Sequence, residues 1–114
     1  MTKNLDEFQI GKDSSLKDAM EAMTANRRGL VFIVDENKKA IGMLTDGDIR
    51  RALLRSITFL APAMTIANPH FVVSATDDRT RIKKLMQDNK VYAIPIVDGN
   101  YRLLDIVFAE ELYP

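Results

Sequence analysis

Apolar residues follow two patterns along the chain, one typical of helices and one typical of strands. In the helical pattern they recur every three or four positions, at Leu16, Met20 and Met23, which predicts an amphipathic helix. The pattern Ser15–Asp18 resembles a capping box and marks where this helix should begin. A run rich in β-branched residues, Leu30–Val34, then predicts a buried strand.

A short polar turn separates this strand from the next. Asp35–Lys38 consists of turn-forming and charged residues, and a second strand is predicted over Ile41–Leu44. Two strands joined by so short a turn form an antiparallel hairpin. A further helix is predicted from Asp46 to Leu54, and an extended piece over Phe8–Ile10 precedes the whole series. The predicted unit is therefore an extended segment, a helix, a hairpin and a helix.

The same series returns 63 residues later. Residues 8–49 align with residues 71–112 without a gap, and seven of the 42 pairs are identical, while apolar positions agree more widely. Such self-similarity is the mark of an internal repeat. The second copy predicts an extended piece at Phe71–Val73, a helix carrying Ile82, Leu85 and Met86, and strands at Ala93–Val97 and Leu103–Phe108.

The repeat sets the expected domain boundaries. The first repeat occupies residues 5–57, a connector occupies 58–70, and the second repeat occupies 71–114. The last helix of the second repeat has room only for residues 109–113, so we expect a truncated helix and a chain that is part of a larger protein. Prolines interrupt the connector, and three of its apolar residues are expected to pack against the core: Phe59, Leu60 and Met64.

Charge and composition narrow the function. Sixteen basic residues balance sixteen acidic ones in 114 residues, which argues against a partner that is nucleic acid or a membrane surface. With no cysteine and a single histidine, His70, thiol catalysis and multi-histidine metal sites are excluded. The chain also has no phosphate-loop or dinucleotide glycine motif. We therefore expect a cytoplasmic protein without catalytic residues or a bound metal.

The strongest chemical signal lies where the second predicted strand meets the following helix, at Thr45-Asp-Gly-Asp48-Ile-Arg-Arg51. A helix start offers backbone N–H groups and the positive end of the helix dipole to an anion. Thr45 adds a hydroxyl, Asp48 can accept two hydrogen bonds from vicinal hydroxyls such as those of a ribose, and Arg50 and Arg51 add positive charge. The same Thr45-x-x-Asp48 spacing also fits a capping box, with the arginines on the surface and no ligand.

Together with the 63-residue repeat, the string Ile41-Gly-Met-Leu-Thr-Asp-Gly-Asp-Ile-Arg-Arg-Ala-Leu53 resembles a tandem pair of CBS domains over residues 5–113. It resembles in particular the pairs that precede sugar-1-phosphate nucleotidyltransferases, and sugar-phosphate isomerases carry a similar string. The resemblance implies a mixed α/β (α+β) fold. Two pseudo-symmetric repeats would each form a helix–hairpin–helix unit with a short three-stranded sheet.

The resemblance also implies a regulatory module with no cofactor that binds AMP, ADP or ATP in clefts between the repeats. It would control an attached or separate catalytic domain. By this resemblance Thr45 meets the phosphate or ribose, Asp48 binds the ribose hydroxyls, and Arg51 belongs to the same site. The base slot is expected from His70, Phe71, Val91, Tyr92 and Ala93. Alternatives remain for three of these: core packing for Phe71, an exposed strand end for Tyr92 and an uncommitted loop position for His70.

The second cleft departs from the pattern. The 63-residue shift places Phe108 at the position of Thr45 and Glu111 at that of Asp48. Phe108 is bulky and has no hydroxyl, and the side chain of Glu111 is longer. We expect this cleft to bind nucleotide weakly or to be empty.

Two further hypotheses compete with a nucleotide sensor, namely a ligand-free structural dimerisation module and a small enzyme. We expect a homodimer, because the apolar residues on the repeat helices exceed what two thin layers can cover. The expected contact residues are Met20, Met23, Leu53, Leu54 and the stripe at residues 82–86. Monomer core packing is the alternative for these methionine-bearing faces.

Overall fold

The computed structural model describes residues 3–113 and divides into two compact units, one up to Phe71 and one from Val72 onward. In the first unit a 3₁₀ turn precedes three strands and two helices. These are β1 (Gln9–Gly11), α1 (Leu16–Asn26), β2 (Leu30–Val34), β3 (Ala40–Thr45) and α2 (Asp46–Leu54). The predicted hairpin and both predicted helices of this unit are confirmed.

Helix α1 begins at the predicted capping box. The Ser15 N–H donates to Asp18 Oδ2 over 2.9 Å, and the Asp18 N–H donates to Ser15 Oγ over 3.1 Å. Two of the N–H groups that a helix start leaves unpaired are thereby satisfied. The helix ends at Arg27, whose φ of 60° is left-handed. Its buried face then lies against the sheet.

Strand β2 forms the centre of the first sheet. It pairs in parallel with β1 and antiparallel with β3. All five residues of β2 are buried, whereas buried and half-buried residues alternate along β3. One cluster of the core of this unit consists of buried residues from α1, the two central strands, α2 and the connector: Leu16, Ala19, Met23, Val31, Ile33, Leu44, Ile49, Ala52 and Ala63.

The connector is bound to the start of α1 through its backbone. The Lys17 N–H donates to the Phe59 carbonyl over 2.8 Å, and the Leu16 N–H donates to the Ala61 carbonyl over 2.9 Å. These donors lie in the first turn of α1, where no carbonyl of the helix itself can reach them. The connector therefore belongs to the first unit and helps to cap its first helix.

This attachment corrects one expectation about the connector. Phe59 is 51% exposed and Leu60 is 71% exposed, so the prediction that both pack against the core was wrong. Their segment is attached through backbone carbonyls, and its side chains are left largely in solvent. Met64 does pack against the core, as expected.

The far end of the connector pairs with β3. The Met43 N–H donates to the Asn68 carbonyl over 2.9 Å, and the Asn68 N–H donates to the Met43 carbonyl over 2.8 Å. Gly42 makes this approach possible. A Cβ placed there would lie 3.0 Å from Met64 Sδ and 3.1 Å from the Ala67 Cβ, both tighter than ordinary contact.

The second unit repeats the helix and hairpin of the first. Its elements are α3 (Arg79–Asn89), β4 (Ala93–Val97), β5 (Leu103–Phe108) and α4 (Ala109–Leu112). Its core contains Ile82, Met86, Ile94, Ile96 and Val107. Within the described residues none of the helices is long and apolar enough to cross a membrane.

The two hairpin turns are built alike. Asp35 Oδ1 accepts the N–H groups of two residues of its own turn, at 2.9 Å each, and Asp98 Oδ1 does the same at 2.8 and 2.9 Å. Lys38 and Tyr101 occupy the same left-handed position, with φ of 66° and 62°. In the second turn, the hydrogen bond from the Arg102 N–H lowers the pKa of Asp98 below its ordinary value.

The second unit lacks a continuous third strand. The segment equivalent to β1 is reduced to one parallel bridge, in which the Ser74 N–H donates to the Pro95 carbonyl and the Val97 N–H donates to the Ser74 carbonyl. The next donor along this side of β4 would be the N–H of residue 95. Because proline has none, the pairing cannot extend toward Val72.

We expect Gly42→Ala to lower the free energy of unfolding by about 1–3 kcal/mol, because the added methyl group pushes both Met64 and Ala67 away from β3. Urea denaturation measures the change. Gly99→Ala is the matched control, because a Cβ there meets nothing within 4 Å. A Gly42→Ala variant as stable as the Gly99→Ala variant would contradict the close packing of the connector on β3.

Candidate functional site

The site begins where β3 passes directly into α2. The Asp46 N–H donates to the Gly29 carbonyl over 2.9 Å, which ties the first turn of α2 to the residue before β2. Gly29 has a φ of 67°, and a Cβ there would lie 3.1 Å from Asp46 Oδ2. Glycine is therefore favoured by the backbone conformation and by the nearness of this carboxylate.

Thr45 and Asp48 form a reciprocal pair at this junction. The Thr45 N–H donates to Asp48 Oδ2 over 2.9 Å, and the Asp48 N–H donates to Thr45 Oγ1 over 3.2 Å. The capping box that the sequence offered as an alternative is thus present. One oxygen of the Asp48 carboxylate is committed to it.

The other oxygen of Asp48 is held by an exposed cation. Arg51 Nη2 lies 2.7 Å from Asp48 Oδ1, and the two side chains are 64% and 27% exposed, respectively. The guanidinium also lies along the first turn of α2, because a Cβ at Gly47 would be 3.3 Å from Arg51 Nη1. Asp48 therefore has one oxygen fixed by the helix cap and one bound to a largely exposed arginine.

His70 is the last residue of the connector, and Phe71 follows it at the end of the first unit. His70 is exposed, and its backbone N–H donates to Asn68 Oδ1 over 2.8 Å. Phe71 is only 7% exposed and packs edge-on against Phe32, with ring centroids 5.6 Å apart. This burial favours core packing, the alternative that the sequence left open, over a ring face offered to a base.

The other residues expected to form the base slot lie at the start of β4 in the second unit. Val91 packs against the core, and Ala93 is 7% exposed. Tyr92 is 49% exposed, and its carbonyl accepts the Ala109 N–H over 2.7 Å. Of the three side chains, Tyr92 offers the most surface to a ligand.

The junction between β5 and α4 keeps half of the cap seen in the first unit. The Phe108 N–H donates to Glu111 Oε2 over 2.6 Å, as the Thr45 N–H does to Asp48. Phe108 itself is 1% exposed and belongs to the core. The position that carries a hydroxyl in the first repeat is therefore filled by a buried ring in the second.

An apolar groove of about 610 Å³ lies between α1 and α2. Of the residues expected at a dimer contact, Met20 and Leu53 are each 39% exposed and Leu54 is 80% exposed, whereas Met23 is buried. In the second unit Ile82 and Met86 are buried in the core, so the monomer-core alternative is right for them. The groove is lined by Met20, Met23, Thr24, Gly29, Asp46, Ile49, Arg50, Leu53 and Leu54.

Sequence reasoning missed two features of this region. It did not single out Gly29, although a glycine just before a buried strand is a signal for close backbone approach. It also placed Arg51 in the ligand site without predicting its ion pair with Asp48. The spacing of three residues between Asp48 and Arg51 on one helix is the signal that predicts their pairing. Over residues 3–113, no cluster of three histidine or acidic side chains could hold a metal ion.

Residues 1–55 match the family model of the CBS domain. Arabinose 5-phosphate isomerase KdsD of Pseudomonas aeruginosa is 35% identical over 98 residues, which are 82% of this chain and 29% of that protein. Arabinose 5-phosphate isomerase GutQ of Salmonella typhi is 29% identical over 106 residues, or 92% of this chain and 33% of that protein. The chain thus spans about a third of the length of these relatives. Both are isomerases and give no support to the expected nucleotidyltransferase.

Solved structures match both units together. A CBS domain protein from Pyrobaculum aerophilum complexed with AMP aligns with a TM-score of 0.83 at 19% identity, covering 97% of this chain and 90% of that one. The CBS domain pair of protein MJ0100, in complex with 5-methylthioadenosine and S-adenosyl-L-methionine, aligns with a TM-score of 0.81 at 21% identity, covering 93% and 87%. The first half of the chain is therefore similar to a CBS domain, and the chain has the fold of solved CBS-domain pairs.

Proposed function

We propose that the chain is a regulatory module that binds an adenosine nucleotide through Thr45, Asp48 and Arg51, and that it controls a sugar-phosphate isomerase. Two structures with the same fold are complexes with adenosine compounds, namely AMP, 5-methylthioadenosine and S-adenosyl-L-methionine. Two sequence relatives are arabinose 5-phosphate isomerases. The isomerase is preferred over the nucleotidyltransferase on this second ground.

The observation that carries the proposal is that the two oxygens of the Asp48 carboxylate have different partners. Oδ2 accepts the Thr45 N–H and fixes the side chain, while Oδ1 faces the exposed Arg51. A carboxylate held in this way is oriented before a ligand arrives. Hydroxyl groups of a ribose can then replace the guanidinium at Oδ1 without disturbing the helix cap.

Thr45 suits the same ligand. Its hydroxyl oxygen accepts the Asp48 N–H, and a hydroxyl that accepts one hydrogen bond can still donate its own proton. A phosphate or ribose oxygen can receive that proton. The start of α2 and the Arg51 guanidinium both favour a negatively charged group at this place. The ligand chemistry that fits is therefore a ribose bearing a phosphate.

For the base, we propose Tyr92 as the aromatic contact, because about half of its surface is exposed. Val91, Ala93 and His70 are the other residues that we propose for the base. Phe71 is not assigned a stacking role, because its ring is buried against Phe32. A site built on Phe108 and Glu111 would bind weakly, since it has no hydroxyl at the position of Thr45.

We also propose that the module is a homodimer that associates through the groove between α1 and α2. Apolar Leu53 and Leu54 lie there together with the acidic Asp46 and the basic Arg50. In a twofold dimer, the same surface meets itself, so the Arg50 of each copy can face Asp46 of the other. The zero net charge of the chain adds no overall repulsion between copies. The same groove favours the second candidate function, a dimerisation module that binds no ligand.

Asp48→Ala tests the nucleotide site, and Asp18→Ala is its matched control. Both changes remove the acidic half of a capping box, with N–H to carboxylate distances of 2.9 Å in each case. Each should lower the free energy of unfolding by about 1 kcal/mol. Only Asp48→Ala should weaken AMP binding, by about tenfold or more, because hydrogen bonds to a charged acceptor are lost. Isothermal titration calorimetry with AMP and GMP measures the affinities.

Equal AMP affinity in the two variants would show that Asp48 serves only as a cap. If the wild-type chain itself bound no adenine nucleotide by calorimetry or thermal shift, the ligand-free dimerisation module would be the better account.

Control of an isomerase is tested by a chimera, in which this chain replaces the matching region of KdsD from Pseudomonas aeruginosa. AMP should change the arabinose 5-phosphate isomerase activity of the chimera, because a ligand that prefers one arrangement of the module shifts the coupled enzyme. The response should disappear with Asp48→Ala and persist with Asp18→Ala. An isomerase activity that AMP never alters, in a chimera shown to bind AMP, would refute this regulatory role.

For the dimer, Leu53→Glu should yield a monomer in multi-angle light scattering, because it places a charge in the apolar groove. Leu104→Glu, at a residue 55% exposed on β5, should leave the mass unchanged. A wild-type chain with a monomer mass at high micromolar concentration would exclude the dimer.

A further inference from the structure

The ion pair between Asp48 and Arg51 occupies the carboxylate oxygen that the proposed ligand needs. Asp48 Oδ2 is bound to the Thr45 N–H at 2.9 Å, and Arg51 Nη2 is bound to Oδ1 at 2.7 Å. A ribose hydroxyl that approaches Oδ1 from the side of the guanidinium competes with Arg51 for that oxygen.

We propose that Arg51 is a selectivity switch that favours phosphorylated adenosines over the unphosphorylated nucleoside. This inference rests on the proposed nucleotide site. In the free protein Arg51 pairs with Asp48 Oδ1 and competes there with a ligand hydroxyl. When a nucleotide enters, the guanidinium leaves the carboxylate and pairs with the phosphate, which presents oxygens in a geometry that arginine binds in a bidentate manner. Adenosine competes with the same ion pair, but it has no phosphate with which the arginine could pair.

The geometry allows this exchange at low cost. The Arg51 side chain is 64% exposed, so it has little buried contact to break when it moves. An exposed ion pair three residues apart on a helix is weak, and a ligand can therefore compete with it. The helix cap is not disturbed, because Oδ2 and the Thr45 N–H remain together.

The lack of a side chain at Gly47 leaves room for Arg51 in its observed position. A Cβ at Gly47 would lie 3.3 Å from Arg51 Nη1 and 3.7 Å from Arg51 Nη2. The absence of a side chain at residue 47 lets the guanidinium lie over the first turn of α2, beside the N–H groups that favour an anion. The released arginine thus starts close to where the phosphate would bind.

The neighbouring arginines do not share this arrangement. Arg50 lines the groove between α1 and α2, on another face of the helix. Arg55 follows the last turn, at the C-cap. Arg51 is therefore the arginine of α2 that the structure places on Asp48, and Arg55 provides a control that removes the same charge from the same helix.

Nuclear magnetic resonance titrations with adenosine and with AMP test the switch, on the wild-type chain and on Arg51→Met and Arg55→Met. In Arg51→Met we expect adenosine to bind about two- to fivefold more tightly, because its competitor for Asp48 is gone. AMP should bind about fivefold more weakly or worse, because its phosphate loses a charged donor. The preference for AMP over adenosine should fall by about tenfold or more. Arg55→Met should leave that preference unchanged.

Other outcomes are equally informative. A purely structural role for Arg51 would shift both ligands in the same direction together with the melting temperature, and would overturn the proposal. Adenosine binding that stays undetectable or unchanged in Arg51→Met would also overturn it. If the wild-type chain binds AMP through Asp48 while the preference is unaffected by Arg51→Met, the switch alone fails. If the wild-type chain binds neither ligand, the proposed nucleotide site fails and the switch with it.

Discussion

Two hydrogen bonds between Thr45 and Asp48 fix the point at which β3 becomes α2, and the chemistry of the first unit depends on them. They satisfy backbone donors that a helix start would otherwise leave to solvent. They also hold the Asp48 carboxylate in one orientation, with its second oxygen directed to Arg51. The bond from the Asp46 N–H to the Gly29 carbonyl then anchors this junction to the start of β2. A local capping interaction thereby becomes the frame of the proposed ligand site.

The two repeats share this frame more closely than their sequences suggest. The hydrogen bond from the Asp46 N–H to the Gly29 carbonyl recurs one repeat later, from the Ala109 N–H to the Tyr92 carbonyl. Both hairpin turns also use the same hydrogen bonds to an aspartate. The repeats differ in the side chain at the junction between the second strand and the following helix. Phe108 fills a core position where Thr45 presents a hydroxyl. Shared backbone hydrogen bonds keep the repeats alike, and a few side chains decide where a ligand is expected.

The sequence predicts the regular elements well, because apolar periodicity and capping residues are local signals. The hairpin of each repeat and helix α1 lie where the apolar pattern predicts them. Ser15 and Thr45 are N-caps, as the acidic residue three positions after each of them indicates. The connector shows the limit of such signals. Hydrophobicity alone placed Phe59 and Leu60 in the core, but the backbone bonds of that segment to α1 leave them exposed.

The missing third strand of the second unit has a similar cause. Pro95 fits the apolar pattern of β4, yet it removes a donor needed on one side of the strand. At the candidate site, the sequence supplied Thr45, Asp48 and Arg51 but not the bond between the last two, which depends on side-chain conformation.

The proposed nucleotide site requires the oriented Asp48 carboxylate to receive the ribose of an adenosine nucleotide. Carbon-detected nuclear magnetic resonance can follow the aspartate side chains during an AMP titration, with the Asp18 carboxylate as an internal reference in the same unit. We expect a saturable change in the Asp48 carboxylate signal, with the Asp18 signal unmoved. An Asp48 signal that stays unchanged while the protein is saturated with AMP would show that Asp48 does not bind the ribose.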